Sequence, residues 1–272
     1  MKMTIGDVVR ILYKRIPNSE TWTKGELYGL IGPQEELDYY VTKVAYCVTT
    51  PSQEGMHWLI ANGYDLLIAH HPINLSDAIP TLVFHTSLDC CDGGLNDQWR
   101  DALGMTNTRH FDKNLGWYGH IMPKTLDQLT EQIECWLGHK IQGQIFGPKD
   151  ELIKSVAVCS GLGGLVNGAA LKTKVDCYIV GEAVGPAEKS GFKFYVETGH
   201  SISERMGVKV IQAALEPHGL QVDLLPIEFE GWKREVYKSN MLTGRRAVVK
   251  IGDQTFPIVD GLDYKVGYEE DK

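Results

Sequence analysis

Two stretches of this chain follow the same order when one is slid along the other by 112 positions. Lys43-Val44-Ala45-Tyr46-Cys47-Val48 falls on Ser155-Val156-Ala157-Val158-Cys159-Ser160, and Leu66-Leu67-Ile68-Ala69-His70 falls on Tyr178-Ile179-Val180-Gly181-Glu182 without a gap. Identities are few; what repeats is the order of short apolar runs with polar residues at their ends. Such runs read as fully buried strands, too short for helices. Between the first two, Pro51-Ser52 opens a helix that reaches about Ala61, and Asn62-Gly63 closes it. Strand, helix, strand is the building block of parallel sheet. The repeat therefore predicts an α/β chain with two related strand-helix-strand lobes, mainly parallel sheets facing a central cleft, and His70 and Glu182 at corresponding strand ends.

The second run of the first lobe leads into His70-His71-Pro72. Pro72 bars the helical region to His71 and keeps it extended. Open α/β sheets hold their ligands outside the carboxyl ends of their strands, where this pair sits. Two ordinary turn histidines are the plainer reading, and adjacency at a buried strand end tips the balance to metal. Residues 81–85 form the next strand, delivering His85-Thr86-Ser87-Leu88-Asp89 and then Gly93-Gly94, with a helix N-cap at Asn96 or Asp97. Asp89 taken alone is a turn residue bonding its own backbone. In the second lobe a strand over 192–196 leads to His200 and Glu204. Their spacing puts both on one helical face, continued by Met206, Val210, Ile211 and Ala214. The bland alternative is an exposed helical pair. Residues 160–168 are glycine-rich but lack the phosphate-loop spacing, and neither a G-x-S-x-G elbow nor a cysteine–histidine nucleophile is present.

Elsewhere, Ile5, Val8, Val9, Leu12 and Ile16 recur at helical spacing up to Pro17, and Leu126, Leu129, Ile133 and Leu137 do so again. Residues 116–120, with Gly116 and Gly119, read as a turn. Residues 222–229 read as a strand and 247–259 as a hairpin broken at Gly252-Asp253. The boundaries expected are lobe one about 1–125, lobe two about 126–230 and a C-terminal β extension about 231–272, all in one unit. Lys233, Arg234, Lys238, Arg245, Arg246 and Lys250 concentrate positive charge there, which reads first as a solvated cluster, with phosphate binding the minority reading. A net charge of -8 argues against a nucleic-acid or anionic-membrane surface. No apolar run has the length of a membrane span. Six cysteines without C-x-x-C spacing are those of a reduced, cytoplasmic protein.

Together these motifs resemble the Nif-three-like proteins (NGG-interacting factor three), homologues of a type-two GTP cyclohydrolase I. The family's buried-strand-His-His-Pro is matched at Leu66 to Pro72. Its His-Thr-Asn-Leu-Asp with Gly-Gly and Asn is matched at His85 to Asp89, Gly93-Gly94 and Asn96. Its Gly-His-x-x-x-Glu is matched at Gly199-His200 and Glu204. The resemblance covers roughly residues 1–220. It implies a dinuclear metal site between two lobes, inside a homo-hexamer assembled from dimers. By position the metal ligands are His70, His71, Asp89, His200 and Glu204, with His85 beside them as ligand or proton carrier. The chain departs from the family at Trp22 to Leu30, at Gly181-Glu182-Ala183, and beyond about residue 230.

Three histidines and two carboxylates suit two divalent ions of Zn, Fe or Mn, not an oxygen-only calcium cage. Five ligands shared by two ions leave open positions, the arrangement of a catalytic centre. The expectation is metal-assisted hydrolysis of a small nucleotide-like or heterocyclic substrate, with His85 as the catalytic residue. His120 and Glu182 are the other acid–base candidates. The alternative is a metal-binding or metal-handling protein without turnover, acting through partners.

Overall fold

The computed structural model of the chain describes residues 2–17, 28–31, 37–71, 78–183, 191–230 and the strand residues 247–251, 254–257 and 267–268. Pro72, Trp22 and the basic residues from Lys233 to Arg246 lie outside the described residues, as does the Lys250 side chain. The chain forms two compact units, one of Met1–Leu88 with Val208–Lys272 and one of Asp89–Gly207. It leaves the first unit after Leu88 and returns to it at Val208.

The first unit carries a five-stranded sheet in the order β13 (Gln221–Leu224), β4 (Lys43–Thr49), β5 (Leu66–His71), β6 (Thr81–Phe84) and β2 (Tyr28–Ile31). Its first four strands are parallel and β2 is antiparallel. Both faces are covered, which is why β4 and β5 are apolar almost without alternation. Helix α2 (Gln53–Ala61) packs Met56 and Leu59 on Ala45, Cys47, Leu67 and Ala69. Helix α1 (Ile5–Arg15) buries Ile5, Val8 and Leu12, and Thr4 with Asp7 forms a reciprocal capping box at its start. A short pair, β1 (Met3–Thr4) and β3 (Tyr40–Val41), ties down that start. Beyond residue 230, β14 (Ala247–Ile251) pairs antiparallel with β15 (Gln254–Pro257) and β16 (Gly267–Tyr268), so the expected hairpin is present.

The second unit carries a six-stranded sheet in the order β7 (Thr106–Phe111), β8 (Gly116–Lys124), β10 (Ile153–Cys159), β11 (Cys177–Val180), β12 (Phe194–Glu197) and β9 (Ile145–Phe146). Strands β10, β11 and β12 are parallel; β7, β8 and β9 widen that core antiparallel. Residues 116–120 are thus strand and not turn. The two glycines that suggested a turn serve close packing. A Cβ at Gly116 would collide with Val158 O at 2.6 Å, and one at Gly119 with Thr106 O at 2.7 Å. Helix α5 (Leu126–Leu137) has the expected bounds, with a capping box at Thr125 and Gln128 and a left-handed Gly138 at its end.

The strand-helix-strand repeat is present, with α6 (Asn167–Lys172) between β10 and β11, and with one change of register. Across β4 and β5, Val44 pairs with Leu66 and Thr49 with His71. Across β10 and β11, Val156 pairs with Cys177 and Cys159 with Val180. Val44 and Val156 obey the shift of 112, but the partner strand β11 arrives one residue early. The strand starts agree. Asp65 accepts hydrogen bonds from the Thr42 and Lys43 N–H groups, and Asp176 accepts them from Lys154 and Ser155. Glu182 therefore corresponds to His71 and not to His70. The match continues through β6 and β12 into two short helices, α3 (Thr86–Cys90) and α7 (His200–Glu204), and then α4 (Leu95–Ala102) and α8 (Val208–Leu215). Each member of a pair has the length of the other. These last helices change units: α4 follows β6 yet packs on β8 and β10, whereas α8 follows β12 yet packs on β13, β4 and α1. Helix α4 is capped by Gly94 instead of the expected Asn96 or Asp97. Among the described residues no helix is long and apolar enough to cross a membrane.

Candidate metal centre

In the first unit the carboxyl ends of β5 and β6 bring three imidazoles together. Successive strand residues face opposite sides of a sheet. Even so, the His70 and His71 rings lie 4.4 Å apart at the strand's end, nearly perpendicular. His85, the residue linking β6 to α3, lies 5.1 Å from the first ring and 4.5 Å from the second. One nitrogen from each ring falls within 4.8 Å of the other two. His70 and His71 are buried, and His85 is half-buried. His70 Nδ1 lies 2.9 Å from Phe84 O. A carbonyl only accepts, so Nδ1 carries the proton and the Nε2 lone pair is left for a ligand.

In the second unit the candidates are Asp89, His200 and Glu204. His200 Nε2 is 3.4 Å from Glu204 Oε2, one turn further along α7, and both residues are buried. A carboxylate oxygen of Asp89 falls within 4.8 Å of one of Glu204. Ser160 Oγ lies 3.3 Å from Asp89 Oδ1 and from Asn96 Oδ1. Gly161 has φ +56, and a Cβ there would run into Glu204 Oε1 and come within 3.3 Å of His200 Nε2. Ser203 Oγ accepts from the Gly161 N–H at 2.9 Å and donates to His200 O at 2.6 Å, fixing loop and helix to each other. His200 Nδ1 lies 3.3 Å from Glu182 Oε2. The Cys159 thiol is pushed well up by burial and then by the charges of Asp89 and Glu204, and it donates to Leu115 O.

The donor sets fit a metal. Crowded buried imidazoles in one cluster and paired carboxylates with an imidazole in the other supply the mixed nitrogen and oxygen ligands of a borderline cation. Each ligand expected from sequence falls in one of these clusters, and His85 joins the first. His120 does not: it is exposed on β8 and pairs with Ser155, near the start of β10 and away from its carboxyl end. Sequence reasoning missed Ser160, Gly161 and Ser203. The glycine-rich character of 160–168 was the available signal, and it marked close packing on α7 instead of a phosphate cradle.

An α/β chain with clusters of histidine and carboxylate that could hold a metal, at the carboxyl ends of its parallel strands, is the class that fold and site define. The profile of the Duf34/NIF3 (NGG1p interacting factor 3) family matches residues 74–230. The chain belongs to that family. It is 26% identical over 222 residues to a "GTP cyclohydrolase 1 type 2 homolog" of Methanothermobacter thermautotrophicus, covering 79% of this chain and 89% of the relative. Among solved structures it is similar to reduced HcgD from Methanocaldococcus jannaschii, with TM-score 0.69 and 20% identity over 84% of this chain and 99% of that one. A Bacillus cereus protein related to NIF3 gives TM-score 0.68 and 16% identity over 84% and 98%. At these identities the two structures speak for the fold alone.

Proposed function

We propose that the chain is a dinuclear-metal protein whose two clusters, His70, His71 and His85 with Asp89, His200 and Glu204, serve one centre, and that it is a metal-dependent hydrolase. The cluster of three imidazoles at the ends of β5 and β6, two of them buried and one half-buried, carries this reading. Such a cluster has no structural task that apolar side chains would not perform better, and it offers nitrogen donors to a Zn, Fe or Mn ion. When bound, a pair of such ions activates water near neutral pH and polarises a carbonyl or phosphoryl oxygen. His70 and His71 bind, the first in a tautomer held by Phe84 O. Asp89, held by Ser160, and Glu204, pressed on Gly161, are the carboxylates that would hold the metal from the second unit. His85, less buried than its two neighbours, is placed to carry a proton between site and solvent. The names of the relatives, homologues of a GTP cyclohydrolase, support a nucleotide-like or heterocyclic substrate; a cytoplasmic homo-hexamer is part of the same proposal.

The test begins with metal content after reloading with Zn, Mn or Fe, followed by a product assay over nucleotides and related heterocycles. Asp89→Ala is expected to remove both metal and turnover. His85→Ala is expected to keep most of the metal and slow turnover by about 10²–10⁴-fold, the usual worth of general acid–base help. Full occupancy with no product for any of the three metals would replace the hydrolase by a metal-binding protein without turnover.

A further inference from the structure

Glu182 lies on the ring nitrogen of His200 opposite the one that faces Glu204. Its Oε2 is 3.3 Å from His200 Nδ1, whereas Glu204 Oε2 is 3.4 Å from Nε2. All three residues are buried. The backbone of Glu182 is held from both directions by the glycine loop: its N–H donates to Gly161 O at 2.7 Å, and its carbonyl accepts from Gly164 N–H at 3.0 Å. Its side chain is thus delivered to Nδ1 by the same loop that presses on Glu204. In the repeat Glu182 occupies the place of His71, so the strand end that supplies a donor in one half supplies a carboxylate in the other.

We infer that Glu182 is the positioning residue of His200. It accepts Nδ1–H, fixes the ring plane and the tautomer, and presents Nε2 to the cation shared with Glu204. His70 is held in the same way, but by the neutral carbonyl of Phe84. A carboxylate acceptor makes the ligating nitrogen more basic than a carbonyl does, and losing such a partner typically costs about 10–100-fold in metal affinity. Glu182 is therefore not a general acid or base of the reaction.

This rests on the metal reading above, and Co²⁺ separates the two. Wild type, Glu182→Gln, Glu182→Ala and His200→Ala are titrated with Co²⁺ against a chromophoric chelator, and the visible d–d bands and the melting temperature of each metal-free protein are recorded. Expected is a loss of about 10–100-fold for Glu182→Ala. Glu182→Gln should lose less, because its amide oxygen still accepts. Both should show shifted d–d bands, with the metal-free Gln variant melting like wild type. Wild-type bands and affinity in both Glu182 variants would overturn the assignment alone. So would an affinity loss with unchanged bands and a lowered metal-free melting temperature, which is the mark of a merely structural role. Wild type that takes up no Co²⁺ would end the metal reading and this assignment together.

Discussion

The two halves of the repeat place the same elements and load them with different chemistry. At the end of the second strand, the first half has His71 and the second has Glu182. On the short helix after the third strand, Asp89 of the first half stands where the second has Ser203, and Thr86 and Cys90 stand where it has His200 and Glu204. At the end of the first strand, Thr49 of one half matches Gly161 of the other. Gly161 lets the backbone lie against Glu204 and His200, whereas the Thr49 hydroxyl is buried with no hydrogen-bond partner among the described residues. The repeat thus fixes which strand ends face chemistry but not which residue performs it. Each half keeps the Asp65 or Asp176 clamp, the part that is needed only for the fold.

That comparison can be broken most severely at the first strand end. Gly161→Ala should cost about 2–6 kcal/mol, from left-handed backbone strain plus overpacking against Glu204. It should also displace His200 and Glu204 and so weaken Co²⁺ binding by the proposed centre. Denaturant melts with and without Co²⁺ check both effects, and a wild-type melt would mean that the Gly161 loop is not tightly packed on α7.

The clamps test the equivalence itself. Asp65→Ala and Asp176→Ala each remove a charged acceptor from two backbone N–H groups and should destabilise by about 1.5–3 kcal/mol apiece. Similar values from urea midpoints support matched strand starts. A large effect at one site and none at the other would show that only one half uses its clamp.

A smaller asymmetry lies in the second unit, where β7 and β8 add a feature without a counterpart. His110 stacks on Trp117, whose indole N–H donates to Asp97 and whose ring carries Arg100 over it. Burial lowers the His110 pKa; Asp97 and a Gly116 backbone bond push it up, and Arg100 pushes it down. The net shift is downward, so the unfolded chain takes up the proton first as pH falls. The stability that His110 contributes is complete above its ordinary value near 6.5 and is lost as pH falls from there through the folded pKa. Thermal melts between about pH 7 and 5 should therefore fall less steeply for His110→Gln than for wild type, the range being that of ordinary histidine titration. Equal slopes would mean that the stack tolerates the charged ring.

The smallest effect is expected at Thr49→Ala, the counterpart of Gly161. Removing a buried hydroxyl that has no partner among the described residues changes stability by about zero, or raises it slightly. A loss above about 1–2 kcal/mol would instead reveal a bond through ordered water.

Much of this was legible from local pattern. The apolar runs gave β4, β5, β10 and β11, the periodicity of Leu126 to Leu137 gave α5, and position at a strand end or helical spacing made His70, His71, His200 and Glu204 metal candidates, whereas Asp89 joined them only through the resemblance to the family. Those signals depend on side chains a few positions apart, so the sequence carries them by itself. What required the tertiary structure was set between distant segments. The one-residue slip that matches Glu182 to His71 is a matter of ladder register, decided by hydrogen bonds between β10 and β11. Strand β8 was hidden because a glycine chosen for close approach to Val158 or Thr106 looks like a glycine chosen for a turn. Ser160, Gly161 and Ser203 are ordinary residues in a list, and only the packing of their loop on α7 makes them supports of Asp89, Glu204 and His200.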